Sequence, residues 1–197
     1  MQNEHVVILV VGKSGSGKSS LINRLCERAN LAALQSYTTR PKRSESDNDH
    51  IFVGVEDYIG AKENGEIAID TELAGNYYYS TVEQLYNADL YTINPEALDR
   101  LLDMDSPNIR FVVVYISCPD NIREERAMKR GDDKHKYRVR DFAERQEFRK
   151  FVSEEKWDYA INNLDFPKSY SVLRWISQVE NVWQNHKEDL NDDAYSN

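Results

Sequence analysis

Val6-Val7-Ile8-Leu9-Val10-Val11-Gly12-Lys13-Ser14-Gly15-Ser16-Gly17-Lys18-Ser19-Ser20-Leu21-Ile22 decides the fold. Its first six residues are continuously apolar and rich in β-branched side chains, as in a parallel strand covered on both faces. From Ser19 to Ala29 the period becomes helical: Leu21, Ile22, Leu25 and Ala29 share one face, with Asn23, Arg24 and Glu27 outside. Between strand and helix lies G-x-x-x-x-G-K-[ST], met by Gly12, Gly17, Lys18 and Ser19. Glycines let this loop turn so tightly that successive N–H groups point inward at phosphate oxygens, and the helix start adds its own N–H groups and dipole. The stretch from Gly12 through Ser14, Gly15, Ser16, Gly17, Lys18, Ser19 and Ser20 therefore reads as a nucleoside triphosphate site. Lys18 would bring positive charge to the β- and γ-phosphates, and the Ser19 hydroxyl would ligate Mg²⁺.

Outward from the loop, Phe111-Val112-Val113-Val114-Tyr115-Ile116 repeats the buried-strand pattern and ends at Cys118-Pro119; shorter strands are expected over Leu90–Ile93 and Tyr159–Ile161. Between Ser36 and Ser80, polar turns, alternating segments and Tyr77-Tyr78-Tyr79 indicate a small, partly β insert. Asn121 to Phe151 is helical and highly charged, broken at Gly131-Asp132-Asp133. A last amphipathic helix is expected over Pro167–His186, with Val172, Leu173, Ile176, Val179 and Trp183 inside. The acidic end, 189–197, reads as a frayed tail. These elements predict an α/β fold: a doubly wound parallel sheet, helices on both faces, with a small partly β insert and a helical lid.

The 197 residues suit one such domain, and 40% hydrophobic with 30% charged residues is ordinary for a globular protein. A formal net charge of −9 argues against a nucleic-acid polymer as partner. The basic residues cluster locally, at Arg40, Lys42 and Arg43 and from Arg123 to Arg149, which in an acidic chain suggests a small polyanionic ligand. Two cysteines and four dispersed histidines give no metal-ligand spacing, so no structural metal is expected. With no apolar run of spanning length and no signal-like start, a cytoplasmic protein away from the membrane is expected.

The segment Ser36-Tyr37-Thr38-Thr39-Arg40-Pro41-Lys42-Arg43-Ser44-Glu45, followed by Asp49-His50-Ile51-Phe52-Val53, resembles the guanylate kinase family. The resemblance continues in Asn64-Gly65-Glu66, Gly75-Asn76-Tyr77-Tyr78-Tyr79-Ser80-Thr81, Arg126 with Arg130-Gly131, Arg140, and Asp158-Tyr159-Ala160-Ile161-Asn162-Asn163. It implies a P-loop enzyme in which ATP donates to a nucleoside monophosphate, with GMP or dGMP the default acceptor. The implied parts are a core (1–34, 86–124 and 142–188), an acceptor-binding insert (35–85) and a lid (125–141). Ser36, Arg40, Arg43, His50, Tyr78 and Ser80 would hold the acceptor phosphate, a role suited to guanidinium forks and hydroxyls. Lys18, Arg126, Arg130 and Arg140 would surround the migrating phosphoryl group, and Asn163 falls near the ATP base. Tyr77 and Tyr79 read as packing residues, and Lys134, Lys136, Arg138 and Arg145 as mostly solvated.

Several positions depart from the family pattern. The family's guanine-reading glutamate falls on Ile69; Asp70 or Glu72 could substitute, although strand alternation turns Asp70 to the opposite face. The second base-contacting acid falls on Asn94, the phosphate-binding tyrosine is His50, and a glycine is replaced by Tyr79. An unpaired buried polar group is costly, so such losses relax or change base choice. Two other readings remain: a kinase of a phosphorylated sugar such as ribose 1,5-bisphosphate, and a silent protein-interaction module. The sequence leaves monomer and homodimer equally open.

Overall fold

Strand β1 (His5–Val11) is the middle strand of a five-stranded sheet, and every residue from Val6 to Val11 is buried. Alternation sends Val6, Ile8 and Val10 into one apolar cluster and Val7, Leu9 and Val11 into another, which is why the run lacks polar residues. The structure, a computed structural model, describes residues 4–42, 45, 47–48, 50–73, 75–104, 108–180 and 182. Arg43, Ser44, Asp49, Trp183, His186 and the 189–197 tail lie outside the described residues.

Around β1 stand β2 (Ala33–Leu34), β7 (Leu90–Thr92), β8 (Ile109–Ser117) and β9 (Tyr159–Asn162), in the order β2-β7-β1-β8-β9, all parallel. On one face α1 (Lys18–Ala29) lays Leu21, Ile22 and Leu25 beside Leu173 and Ile176 of α7 (Phe166–Val179). On the other, α4 (Pro95–Leu102) contributes Ala97, Leu98 and Leu101, and α6 (Lys134–Glu154) contributes Phe148 and Phe151. The sheet is thus covered on both sides, as the apolar strands require.

A second sheet holds β3 (Tyr37–Thr38), β4 (Ile51–Phe52), β5 (Ile67–Leu73) and β6 (Asn76–Thr81), ordered β4-β3-β6-β5, with α2 (Val55–Glu63) against it. Its own small core is aromatic: Tyr58 stacks on Tyr77 at 4.0 Å and Tyr37 on Tyr79 at 5.0 Å. Tyr77 and Tyr79 are therefore packing residues. A short helix, α3 (Val82–Tyr86), capped reciprocally by Thr81 and Gln84, returns the chain to β7.

The charged stretch divides at Gly131 (φ +90°) into α5 (Asp120–Lys129) and α6, whose N-terminus Asp133 caps by accepting from Lys136 N–H. Arg126 on α5, Arg130 at the C-cap of α5 and Arg140 on α6 sit around this break.

One expectation needs correction. Helix α7 ends at Val179, and Val172 and Val179 are 43% and 44% exposed, not internal. Its inner stripe is Ser169, Leu173, Ile176 and Ser177. Two of these buried positions are serines, so the apolar pattern of the sequence does not coincide with the buried face. Among the described residues, no helix is long and apolar enough to cross a membrane.

Candidate active site

The glycine-rich loop begins where β1 ends. Gly15 and Gly17 have φ of +80° and +92°, which disfavours any residue with a Cβ. A side chain at Gly17 would also collide with the Asn163 carboxamide, and one at Gly15 would lie 2.7 Å from the Arg123 carbonyl. Gly17 is the N-cap of α1, no side chain caps that terminus, and its first turn carries no acid. The helix start therefore presents its unpaired N–H groups and positive dipole end, an arrangement suited to an anion.

This end of α1 opens into a cavity of about 390 Å³ lined by Ser14, Gly15, Gly17, Lys18, Ser19, Ser20, Arg126 and Arg130. Sequence-predicted residues from the loop and from α5 thus share one cavity. Burial pushes the Lys18 ammonium down to about 8, opposed by the Glu144 carboxylate and assisted by Arg123, Arg140 and Arg130. Lys18 Nζ donates to the carbonyls of Gly12 and, at 3.3 Å, Lys13.

Arg126 donates to the Asn163 carbonyl (2.9 Å) and the Ser16 carbonyl (3.4 Å), placing its guanidinium beside Gly17. Asn163 is only 1% exposed and donates to the Ser16 carbonyl at 2.7 Å, so it supports the loop from behind. Arg130 grips Asp132 with Nε (3.0 Å) and Nη2 (2.6 Å), and Arg140 reaches the same carboxylate at 3.2 Å. Hydrogen bonding from Arg130 above all holds the Asp132 carboxyl below its usual range.

On the insert, Ser36, Arg40, His50 and Tyr78 come together. Ser36 Oγ bonds His50 Nδ1 at 2.9 Å, and the His50 ring meets Tyr78 edge-on at 5.3 Å. Arg40 lies 5.1 Å over Phe52 and donates to Asp47 at 3.0 Å, both side chains being nearly buried. Burial would depress the Arg40 charge, but Asp47 and Tyr78 more than offset it. Arg40 Nε is buried and has no hydrogen-bond partner among the described residues. A buried donor of that kind is costly until an acceptor meets it.

Four predicted positions stand apart from these clusters. Ser80 is fully buried and donates to the Tyr91 hydroxyl at 3.3 Å, joining insert to core. Ile69, on the same face of the hairpin, is 6% exposed and packs with Tyr91 and Leu98 in the apolar cluster on the α4 and α6 side of the parallel sheet. Asp70 points the other way, accepting from Tyr58 (2.7 Å) and Lys62 (3.1 Å) and pairing with Arg100. Asn94 caps α4 by accepting from Ala97 N–H at 2.8 Å.

Sequence reasoning missed two groups at the loop. Arg123 is 1% exposed; its Nη1 donates to the Ser14 carbonyl (2.9 Å), and its Nη2 to Asp141 (2.6 Å) and Asp120 (2.7 Å). Glu144 accepts from Ser14 N–H at 2.9 Å. The signal was present: Arg123-Ala127 and Tyr137-Asp141-Phe148 are the inner stripes of α5 and α6, each with one charge where an apolar residue belongs. Opposite charges on two inner stripes imply that those helices face each other.

The family model described as guanylate kinase matches residues 4–179. The guanylate kinase of Cupriavidus metallidurans is 30% identical over 192 residues, covering 89% of this chain and 81% of its own. That of Paraburkholderia xenovorans is 29% identical over 188 residues, covering 87% and 83%. The crystal structure of the guanylate kinase from Anaplasma phagocytophilum shares the fold, with a TM-score of 0.64 at 24% identity over 99% of this chain and 98% of that one.

Proposed function

Since this chain belongs to the guanylate kinase family and is a phosphotransferase, we propose that it transfers the γ-phosphate of ATP to a nucleoside monophosphate, with GMP or dGMP the first acceptors to try. The observation that carries the reading is the uncapped start of α1 facing Arg126 and Arg130 across one cavity. In this reading the N–H groups of Ser14 to Ser20 cradle the β- and γ-phosphates, and Lys18 follows the γ-phosphate as it moves. Mg²⁺ bound with the triphosphate would neutralise its β- and γ-oxygens, with the exposed Ser19 hydroxyl as a protein ligand; one such oxygen suffices, since this ion keeps phosphate and water ligands.

The acceptor phosphate meets Arg40, whose buried Nε lacks a partner among the described residues, together with Ser36, Tyr78 and His50. Arg43 completes that set on the family pattern. An acceptor oxygen then attacks the γ-phosphorus in line, and the bond to the β–γ bridging oxygen breaks, releasing ADP. Charge on the migrating group is met by Lys18, Arg126, Arg130 and Arg140. For the last two to take part, they must leave Asp132, a motion that the α5–α6 break allows and that also excludes water. The residues 35–85 act here as the acceptor-binding part and 125–141 as the lid.

One observation favours a second acceptor class. By spacing, the positions where the family pattern has base-reading acids hold an isoleucine sealed in the core and an asparagine used as a helix cap. That suits a smaller acceptor such as ribose 1,5-bisphosphate, recognised through phosphate. The test is ADP release with ATP–Mg²⁺ over all common nucleoside monophosphates and this sugar. Turnover with a monophosphate, abolished by Lys18→Ala, is expected. Turnover with the sugar alone would establish the second reading, and none with any acceptor would refute both.

A further inference from the structure

Helix α6 brings a carboxylate to the donors that a phosphate would use. Glu144 takes both hydrogen-bond donors of Ser14, the backbone N–H at 2.9 Å and Oγ at 2.5 Å. Its charge also acts on Lys18, where it favours the protonated form against burial and three arginines. Beneath it Arg123 holds the carbonyl of the same residue. Ser14 is therefore gripped from two helices, by a cation under its carbonyl and an anion over its N–H. One turn before Glu144 on α6, Arg140 is held by another carboxylate, Asp132.

We propose that Glu144 is an internal competitor of the triphosphate: its carboxylate and a phosphate oxygen claim the same Ser14 donors, and donor binding displaces it. The inference rests on the donor site proposed above. Displacement is feasible because Glu144 is partly exposed and returns to water at little cost, whereas a triphosphate brings several charges to Lys18, Arg126 and Arg130. Side chains four apart share a helix face, so freeing Glu144 also frees the face of α6 that carries Arg140. Occupation of the loop and movement of the lid helix are thereby one event. Glu144 lowers the resting affinity for donor, and in return α6 stays docked on the loop until a triphosphate arrives.

Affinity for ATP–Mg²⁺, measured by calorimetry on the full chain, tests this with Glu144→Ala and the isosteric Glu144→Gln. Losing one charge-assisted competitor should tighten binding about tenfold in the alanine variant and less in the glutamine variant. Hydrogen exchange at the Ser14 amide gives a second readout. Exchange should be faster in free Glu144→Ala than in the free wild type, and equally slow in both with ATP bound. Unchanged or weaker ATP binding in both variants overturns the proposal. So does a fall in kcat without tighter binding, which would make Glu144 a participant in transfer. A wild-type chain that binds no ATP would instead refute the donor site itself.

Discussion

Lys18 sits among backbone carbonyls and arginines, and burial leaves its ammonium near 8. A bound triphosphate favours the charged form, so its pKa rises on binding and the complex takes up a proton whenever the free side chain is neutral. ATP affinity should therefore be complete below pH 8 and weaken as pH rises through that value, approaching about tenfold per unit. Calorimetric titrations from pH 6.5 to 9.5 check the sign; a pH-independent affinity would contradict it. At this scale much was legible. Gly12, Gly17, Lys18 and Ser19 follow from a motif because backbone geometry and charge are local properties. Glu144 and Asp132 were not, since a carboxylate's role depends on what faces it, and both lie more than a hundred residues from the loop in sequence.

Helices α5 and α6 meet through a buried ion pair. Burial alone would raise the Asp141 carboxyl, but hydrogen bonds from Arg123 and Arg145 outweigh it and hold the group below its usual range. Breaking a buried pair by removing one charge leaves the other uncompensated, which costs about 3 to 5 kcal/mol. Asp141→Asn should therefore destabilise by about 3 kcal/mol in urea unfolding at pH 7. Because the folded carboxyl is shifted down, its contribution is present above the unfolded pKa and disappears as pH falls through the folded one. The gap between wild type and Asp141→Asn should accordingly close in acid. The existence of these two helices and their break at Gly131 could be read from composition and the glycine. Their inner faces are harder to read, because a paired Arg and Asp look like surface residues until the partner helix is in place, and only their spacing among apolar positions marks them.

In the proposed reading, donor and acceptor groups are carried by two different sheets. The loop, Arg126 and Asn163 belong to the parallel sheet and its helices, whereas Arg40, His50 and Tyr78 belong to the small second sheet. Arg40→Ala should thus raise KM for the acceptor at least tenfold, about the loss of one charged hydrogen bond, while ATP binding measured alone stays within twofold. Equal loss of both would show that the insert shapes the donor site. Sequence by itself determined the doubly wound sheet and the glycine-rich loop. Those rest on periodicity, glycine conformation and a motif, each written within a few consecutive residues. Only the tertiary structure decided that Ile69 seals the core, that Asn94 caps a helix and that α7 turns Val172 and Val179 outward. It alone also set Glu144 against the glycine-rich loop. Each of these depends on which surface a residue meets after the chain has closed over distances that no local pattern encodes.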